Sequence, residues 1–178
     1  MARYYRYRKY TRRFRRKTWS SRITNIDASQ LVTGGNNLLY YKNLAVNPAQ
    51  SDDTISQRYT VKNVFLQFPL EHTGTQYNSE NSMENCQSFI LYLPQGRTVS
   101  ESTPYDHPEW IMASKHIGLP LDNNSPGYPP LTMRTRLARK LDTGDKIVFL
   151  LIGRNSAGTG ETVQVRLTGI ARFNTKAN

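Results

Sequence analysis

The clearest pattern along the chain lies between Thr162 and Phe173, where apolar and polar residues alternate. Val163, Val165, Leu167, Gly169, Ala171 and Phe173 fall on one side, and Thr162, Gln164, Arg166, Thr168, Ile170 and Arg172 on the other. Period two with one apolar face predicts a half-buried strand. Lys146 to Gly153 is almost wholly apolar, which predicts a strand covered on both faces, and the run from Arg154 to Gly160 has the composition of a surface loop. Leu131 to Leu141 alternates again, with Leu131, Met133, Leu137 and Leu141 on one side, before a turn at Asp142-Thr143-Gly144-Asp145. Further strands are predicted over Thr18 to Asp27, Leu38 to Val46, Arg58 to Phe68 and Ser88 to Pro94, with a turn at Gly34-Gly35-Asn36-Asn37 between the first two. These make seven strands, with room for an eighth in the loops. One short helix is predicted between Pro108 and His116, started by Pro108 and striped by Trp110, Ile111, Ala113 and Ile117. Gly118 to Pro130 reads as a long surface loop.

A length of 178 residues suits one domain of the usual size, about 100 to 200 residues. No stretch approaches the roughly 18 uninterrupted apolar residues of a membrane span, so no membrane insertion is expected. The N-terminus has no apolar segment behind its charges, so no secretory signal is expected either. The single cysteine, Cys86, excludes an intrachain disulfide and suits a reducing compartment, where it reads as a small buried apolar residue.

Charge changes the picture. The formal net charge is +11, from 24 basic and 13 acidic residues. Nine cations, Arg3, Arg6, Arg8, Lys9, Arg12, Arg13, Arg15, Arg16 and Lys17, precede the first acid, Asp27. From residue 18 onward 15 basic side chains face 13 acidic ones, a net of only +2. The chain therefore divides into a basic arm, residues 1–17, and a nearly neutral β domain, residues 18–178. A like-charge block of this density repels itself and forms no packed core.

The arm interleaves its cations with Tyr4, Tyr5, Tyr7, Tyr10 and Phe14. Guanidinium groups fork onto phosphates and aromatic rings stack on unpaired bases, so the pattern points to a flexible single strand bound without sequence preference. The same residues are compatible with nuclear import. A secondary basic face is formed by Arg134, Arg136 and Lys140 on the even side of the Leu131 to Leu141 strand, with Arg139 out of step. That face suits solvent, nucleic acid or the acids of a neighbouring subunit.

Catalytic patterns are poor. His72, His107 and His116 have no metal-ligand spacing with one another or with Cys86. Asp52-Asp53 and the pair Asp142 and Asp145 sit in turn-like contexts, where Asp bonds to local backbone. Gly158-Thr159-Gly160 lacks the lysine of a phosphate-binding loop. Trp110 reads as core or subunit contact. No catalytic residue, metal site or cofactor is expected, and the chain is not expected to be an enzyme.

The layout resembles the capsid proteins of circoviruses and related small circular single-stranded DNA viruses. The resemblance rests on the arm MARYYRYRKYTRRFRRK, on RYTVKNVFLQFPL followed by SFILYLPQG, on HPEWIMASKHIG, and on RLARKLDTGDKIVFLLIG with TVQVRLTGIARF. Together these span nearly the whole chain, which is shorter than a circovirus capsid protein and so resembles a relative with trimmed loops. The resemblance implies an all-β, eight-stranded jelly roll with a basic arm. It also implies an icosahedral shell of about sixty copies. The partners it implies are a single-stranded DNA genome (or RNA in recombinant particles) and other copies of the chain, with host import and attachment factors unassigned. Its implied locations are the virion and, during assembly, the host nucleus. The alternative is a cellular RNA-binding or ribosomal-type β protein with a basic extension, although such proteins usually spread their charge over the body as well.

Overall fold

The computed structural model describes residues 19–47, 59–74, 83–117, 130–155 and 162–177, with backbone alone at 59, 70–74, 83–85 and 177. The strands are β1 (Ser20–Thr33), β2 (Asn37–Val46), β3 (Tyr59–Phe68), β4 (Leu70–Gly74), β5 (Met83–Leu93), β6 (Ile111–Ile117), β7 (Leu131–Thr135), β8 (Arg139–Leu141), β9 (Lys146–Asn155) and β10 (Thr162–Ala177). A short helix, α1 (Thr103–Asp106), and a 3-10 turn at Pro108–Trp110 lie between β5 and β6. Among the described residues no helix is long and apolar enough to cross a membrane.

The ten segments make eight strand lines. Segments β3 and β4 both pair with β10 and are separated at Pro69, whose ring leaves no N–H for the ladder. Likewise β7 and β8 both pair with β3, separated at residues 136–138. Line one pairs with line eight (β1 with β10), two with seven (β2 with β9), three with six (β3 with β7 and β8), and four with five (β5 with β6). The chain is thus one long antiparallel hairpin rolled over on itself. The rolling gives two sheets, β1-β10-β3-β7 with β4 and β8 attached, and β2-β9-β5-β6. This is an all-β jelly roll.

Local sequence explains the sheets. In β10 the odd positions Val163, Val165, Leu167, Ala171 and Phe173 are buried, as their alternation predicts. In β9 both faces are buried: Ile147, Phe149 and Leu151 enter the core between the sheets, while Leu150 and Ile152 join a smaller cluster on the far side. The main core is filled by apolar side chains from both sheets, with Phe68 and Phe149 tilted together at 5.2 Å between ring centroids. At Gly169 an added Cβ would lie 2.6 Å from Phe68 Cβ and 2.7 Å from the Gln67 carbonyl oxygen. Only glycine lets β10 approach the end of β3 this closely. The turn before β9 needs glycine for another reason, since Gly144 has φ +85°.

Two expectations are corrected. The helix predicted over Pro108 to His116 is a single 3-10 turn followed by β6, which supplies the missing eighth line. In β6 Met112 and Ile117 are buried in the main core while Ile111 packs on the opposite side, so the apolar residues serve two faces of a strand rather than one stripe of a helix. The Leu131 to Leu141 strand is broken, because the Leu137 N–H donates to Thr135 Oγ1 at 3.1 Å and closes a local turn. Leu137 is consequently 52% exposed rather than facing the core.

The two outer faces differ. Beyond the β2-β9-β5-β6 sheet, Phe89, Leu91, Leu150 and Ile152 pack with Leu39, Val99 and Ile111 under the segment leading through α1. The Tyr105 ring meets Phe89 edge-on at 6.4 Å, and its hydroxyl donates to Gln87 Oε1 at 3.0 Å. The outer face of the first sheet has no such cover among the described residues.

Candidate nucleic-acid interface

The arm's cations and aromatics, residues 1–17, lie outside the described residues. Its nearest described neighbour is Trp19, which precedes the first residue of β1. Lys62 Nζ sits 3.8 Å from the centre of the Trp19 ring and Lys176 Nζ 5.7 Å from it. A cation over an exposed indole gains about 0.5–1 kcal/mol, enough to bias where the ammonium rests.

Register extends this corner across the outer face. Because the odd side of β10 is buried, its even side points outward with the residues paired to it. Lys176 pairs with Thr60, and Thr60 with Lys140. Asn174 pairs with Lys62. In the next outward row Ile23 pairs with Arg172, Arg172 with Phe65, and Phe65 with Arg134. Farther along, Arg166 pairs with Ser29. The outer face therefore gathers Lys62, Arg134, Lys140, Arg166, Arg172 and Lys176 from four strands. Register places two acids on the same face, Asp27 opposite Thr168 and Glu71 opposite Arg166.

Of the secondary basic face expected from sequence, Arg134 and Lys140 do lie together on this surface. Arg136 is exposed in the link between β7 and β8, outside either strand. Arg139 leaves it altogether: its Nη2 donates to the Glu109 carbonyl at 2.9 Å and its guanidinium lies 5.5 Å from the Tyr92 ring, on the side of the second sheet. Four cations were not singled out from sequence. Arg166 and Arg172 were visible on the even side of their strand. Lys62 was hidden by a bulge between Arg172 and Asn174, at which Asn63 takes φ 53° and β3 restarts its alternation, so that Val61 and Val64 both face inward.

Between the rows runs a shallow open groove of about 450 Å³, lined by Phe65, Gln67, Pro69, Thr168, Ile170 and Arg172. Ile23 and Ile170 are 63% and 41% exposed beside it. The surface thus mixes cations with flat and branched apolar groups. On the opposite side of the sandwich, the covering segment carries Glu101, Asp106 and Glu109 together with Arg97.

No family model matches this chain, and no curated protein matches it in sequence. Solved structures do align. A structure of infectious bursal disease virus, Gx strain, aligns at 12% identity with a TM-score of 0.33, over 87% of this chain and 32% of that one. A structure of the Gt strain aligns at 10% identity and TM-score 0.30, over 89% of this chain and 41% of the other. The chain spans about a third of the length of the first and two fifths of the second. Superposition this loose is no measure of shared fold or function, and the jelly roll stands on its strand pairing alone.

The other candidates find structural settings. Asp145 is buried, and its carboxylate accepts from Tyr92 Oη at 2.7 Å, Gln95 N at 3.0 Å and Asp142 N at 2.9 Å. It is a turn-fixing group, as the sequence context of Asp142 and Asp145 suggests. Burial, with the bond to Asp145, pushes the Tyr92 phenol up to about 12. His107 stacks on Trp110 at 3.8 Å and bonds Glu109 through Nδ1 at 3.1 Å, leaving Trp110 half-buried. His116 is exposed on β6, paired with Gln87. Cys86 is fully buried, and burial pushes its thiol up to about 11. Among the described residues no cluster of His, Cys, Asp or Glu could hold a metal. Asp52-Asp53, Gly158-Thr159-Gly160 and residues 118–129 of the predicted loop lie outside the described residues.

Proposed function

We propose that this chain is the capsid protein of a small circovirus-like single-stranded DNA virus. Copies would assemble into a closed icosahedral shell of about sixty, and the arm would neutralise the packaged genome. The observation that carries the reading is a solid jelly roll of eight strand lines joined to a 17-residue segment holding nine cations and no acid. The apolar filling between the sheets leaves the body suited to mechanical packing rather than to holding a substrate. A basic sheet face also suits a shell, whose inner wall meets polyphosphate. Localisation would be the virion, with assembly in the nucleus directed by the same basic arm.

Electron microscopy of the purified protein tests assembly directly. Uniform closed particles are the expected result, and a monodisperse monomer in sedimentation across several salt and pH conditions would overturn it. Packaging is tested by changing the nine arm cations to glutamine, which should remove most co-purifying nucleic acid. If phosphate contacts dominate, the log–log salt slope for single strands should be about −0.7 per engaged cation. Replacing Tyr4, Tyr5, Tyr7, Tyr10 and Phe14 by leucine should weaken binding with little change in that slope.

A further inference from the structure

We infer that the outer face of the β1-β10-β3-β7 sheet is itself a binding surface for single-stranded nucleic acid, entered at Trp19 where the arm joins the fold. The inference rests on the genome-binding reading above and adds to it a built site on the folded body.

Three observations support it. The first is charge: Lys62, Arg134, Lys140, Arg166, Arg172 and Lys176 share one face by register, against two acids placed there the same way, Asp27 and Glu71. Along β10, the cations from Lys176 to Arg166 cover about 33 Å at the usual strand rise, a track rather than a point. The second is chemistry. Phe65 stands between Arg172 and Arg134 in one row, with Ile23 at its end and Ile170 beside it. Apolar groups among cations, with Ile23 and Ile170 exposed and Phe65 half-buried, suit an unpaired strand, which offers base faces as well as phosphates, whereas a duplex presents its phosphates outward and keeps its base faces stacked. The third is continuity. Lys62 rests over Trp19, two residues beyond the arm in the chain, so a strand held by the arm has cations of the face within short reach.

The rival occupant of such a face is a second copy of the chain. The covering segment of the opposite sheet offers it Glu101, Asp106 and Glu109, but with Arg97 among them.

The experiment uses the full-length chain and a short oligothymidine carrying a photoreactive base. Cross-links mapped by mass spectrometry should fall on peptides from β3 and β10, around Phe65 and Ile170, as well as on the arm. Cross-links confined to residues 1–17 would overturn the inference. In parallel, a variant combining Lys62→Gln, Arg134→Gln, Arg172→Gln and Lys176→Gln should bind at least tenfold more weakly at low salt. Its log–log salt slope should be shallower by roughly 0.7 for each lost phosphate contact. Arg134→Lys with Arg172→Lys should keep the slope. An unchanged slope in a folded glutamine variant overturns the inference, as does a glutamine variant that binds normally but fails to assemble, which would assign the face to a subunit contact. The arm is separated by its own glutamine variant: loss of binding there alone leaves the arm reading standing without the face, and loss in the face variant alone does the reverse.

Discussion

Tyr92 Oη donates to Asp145 Oδ2 at 2.7 Å, joining the end of β5 to the turn that launches β9. The same carboxylate takes two backbone N–H groups, from Gln95 and Asp142, while the Asp145 carbonyl accepts from Asn47 N at 2.9 Å. Asn47 returns through Nδ2 to the Leu141 carbonyl at 3.0 Å. One buried side chain therefore fixes where three connections meet at this end of the sandwich.

Replacing Asp145 by asparagine turns one acceptor oxygen into a donor facing donors. The expected cost is about 1–3 kcal/mol, the range for a buried polar group left without its partner. Chemical denaturation of the two proteins measures it, and a loss below about 0.5 kcal/mol would show that the hub is dispensable.

The Tyr92 phenol has a folded value raised from 10.0 to about 12. Its raised value contributes stability that is complete below pH 10 and is lost as pH climbs towards 12, because the unfolded chain releases the proton first. Tyr92→Phe should flatten that part of the stability–pH curve relative to the parent protein. Denaturation midpoints at intervals across this window provide the check.

Gly169→Ala should destabilise the fold by about 1–3 kcal/mol, because the new methyl meets Phe68 Cβ and a backbone oxygen rather than a yielding side-chain tip. Thermal melts against the parent protein would show it. A neutral result would mean that β10 and the end of β3 separate at little cost.

Cys86 should resist thiol reagents at about pH 8 in the folded protein and react promptly once unfolded, since burial both hides the sulfur and holds it protonated. Timed alkylation followed by mass spectrometry gives the rate. Fast labelling of the native protein would indicate local opening of β5.

Much of the fold was legible because its strongest strands follow simple rules. β10 alternates and β9 is continuously apolar, and each is buried as that pattern requires. β6 was misread because Trp110, Ile111, Ala113 and Ile117 fall at helix-like intervals, yet Trp110 ends a 3-10 turn and the other three serve both faces of a strand that pairs irregularly with β5 at Ile90 and Leu91. The cationic face was half legible. Arg134 and Lys140 were found from one strand's alternation, but joining them to Arg172, Lys62 and Lys176 needs the order and register of strands far apart in sequence. Such pairings are decided by tertiary packing, which local pattern does not encode.

The pairing of line one with line eight sets the order in which this protein can fold. Ser20 lies opposite Thr175 and Thr33 opposite Thr162, so β1 finds its ladder partner only after almost every other strand has been made. Until β10 arrives, Ile26 and Val32 have no neighbour on that side, and β3 lacks its central partner. Closing such long loops before any contact rewards them makes folding slow, in the range of milliseconds to seconds typical of non-local β topologies. Residues 1–17 precede every strand in chain order, so their nine cations leave the ribosome and can meet polyanions before either sheet exists.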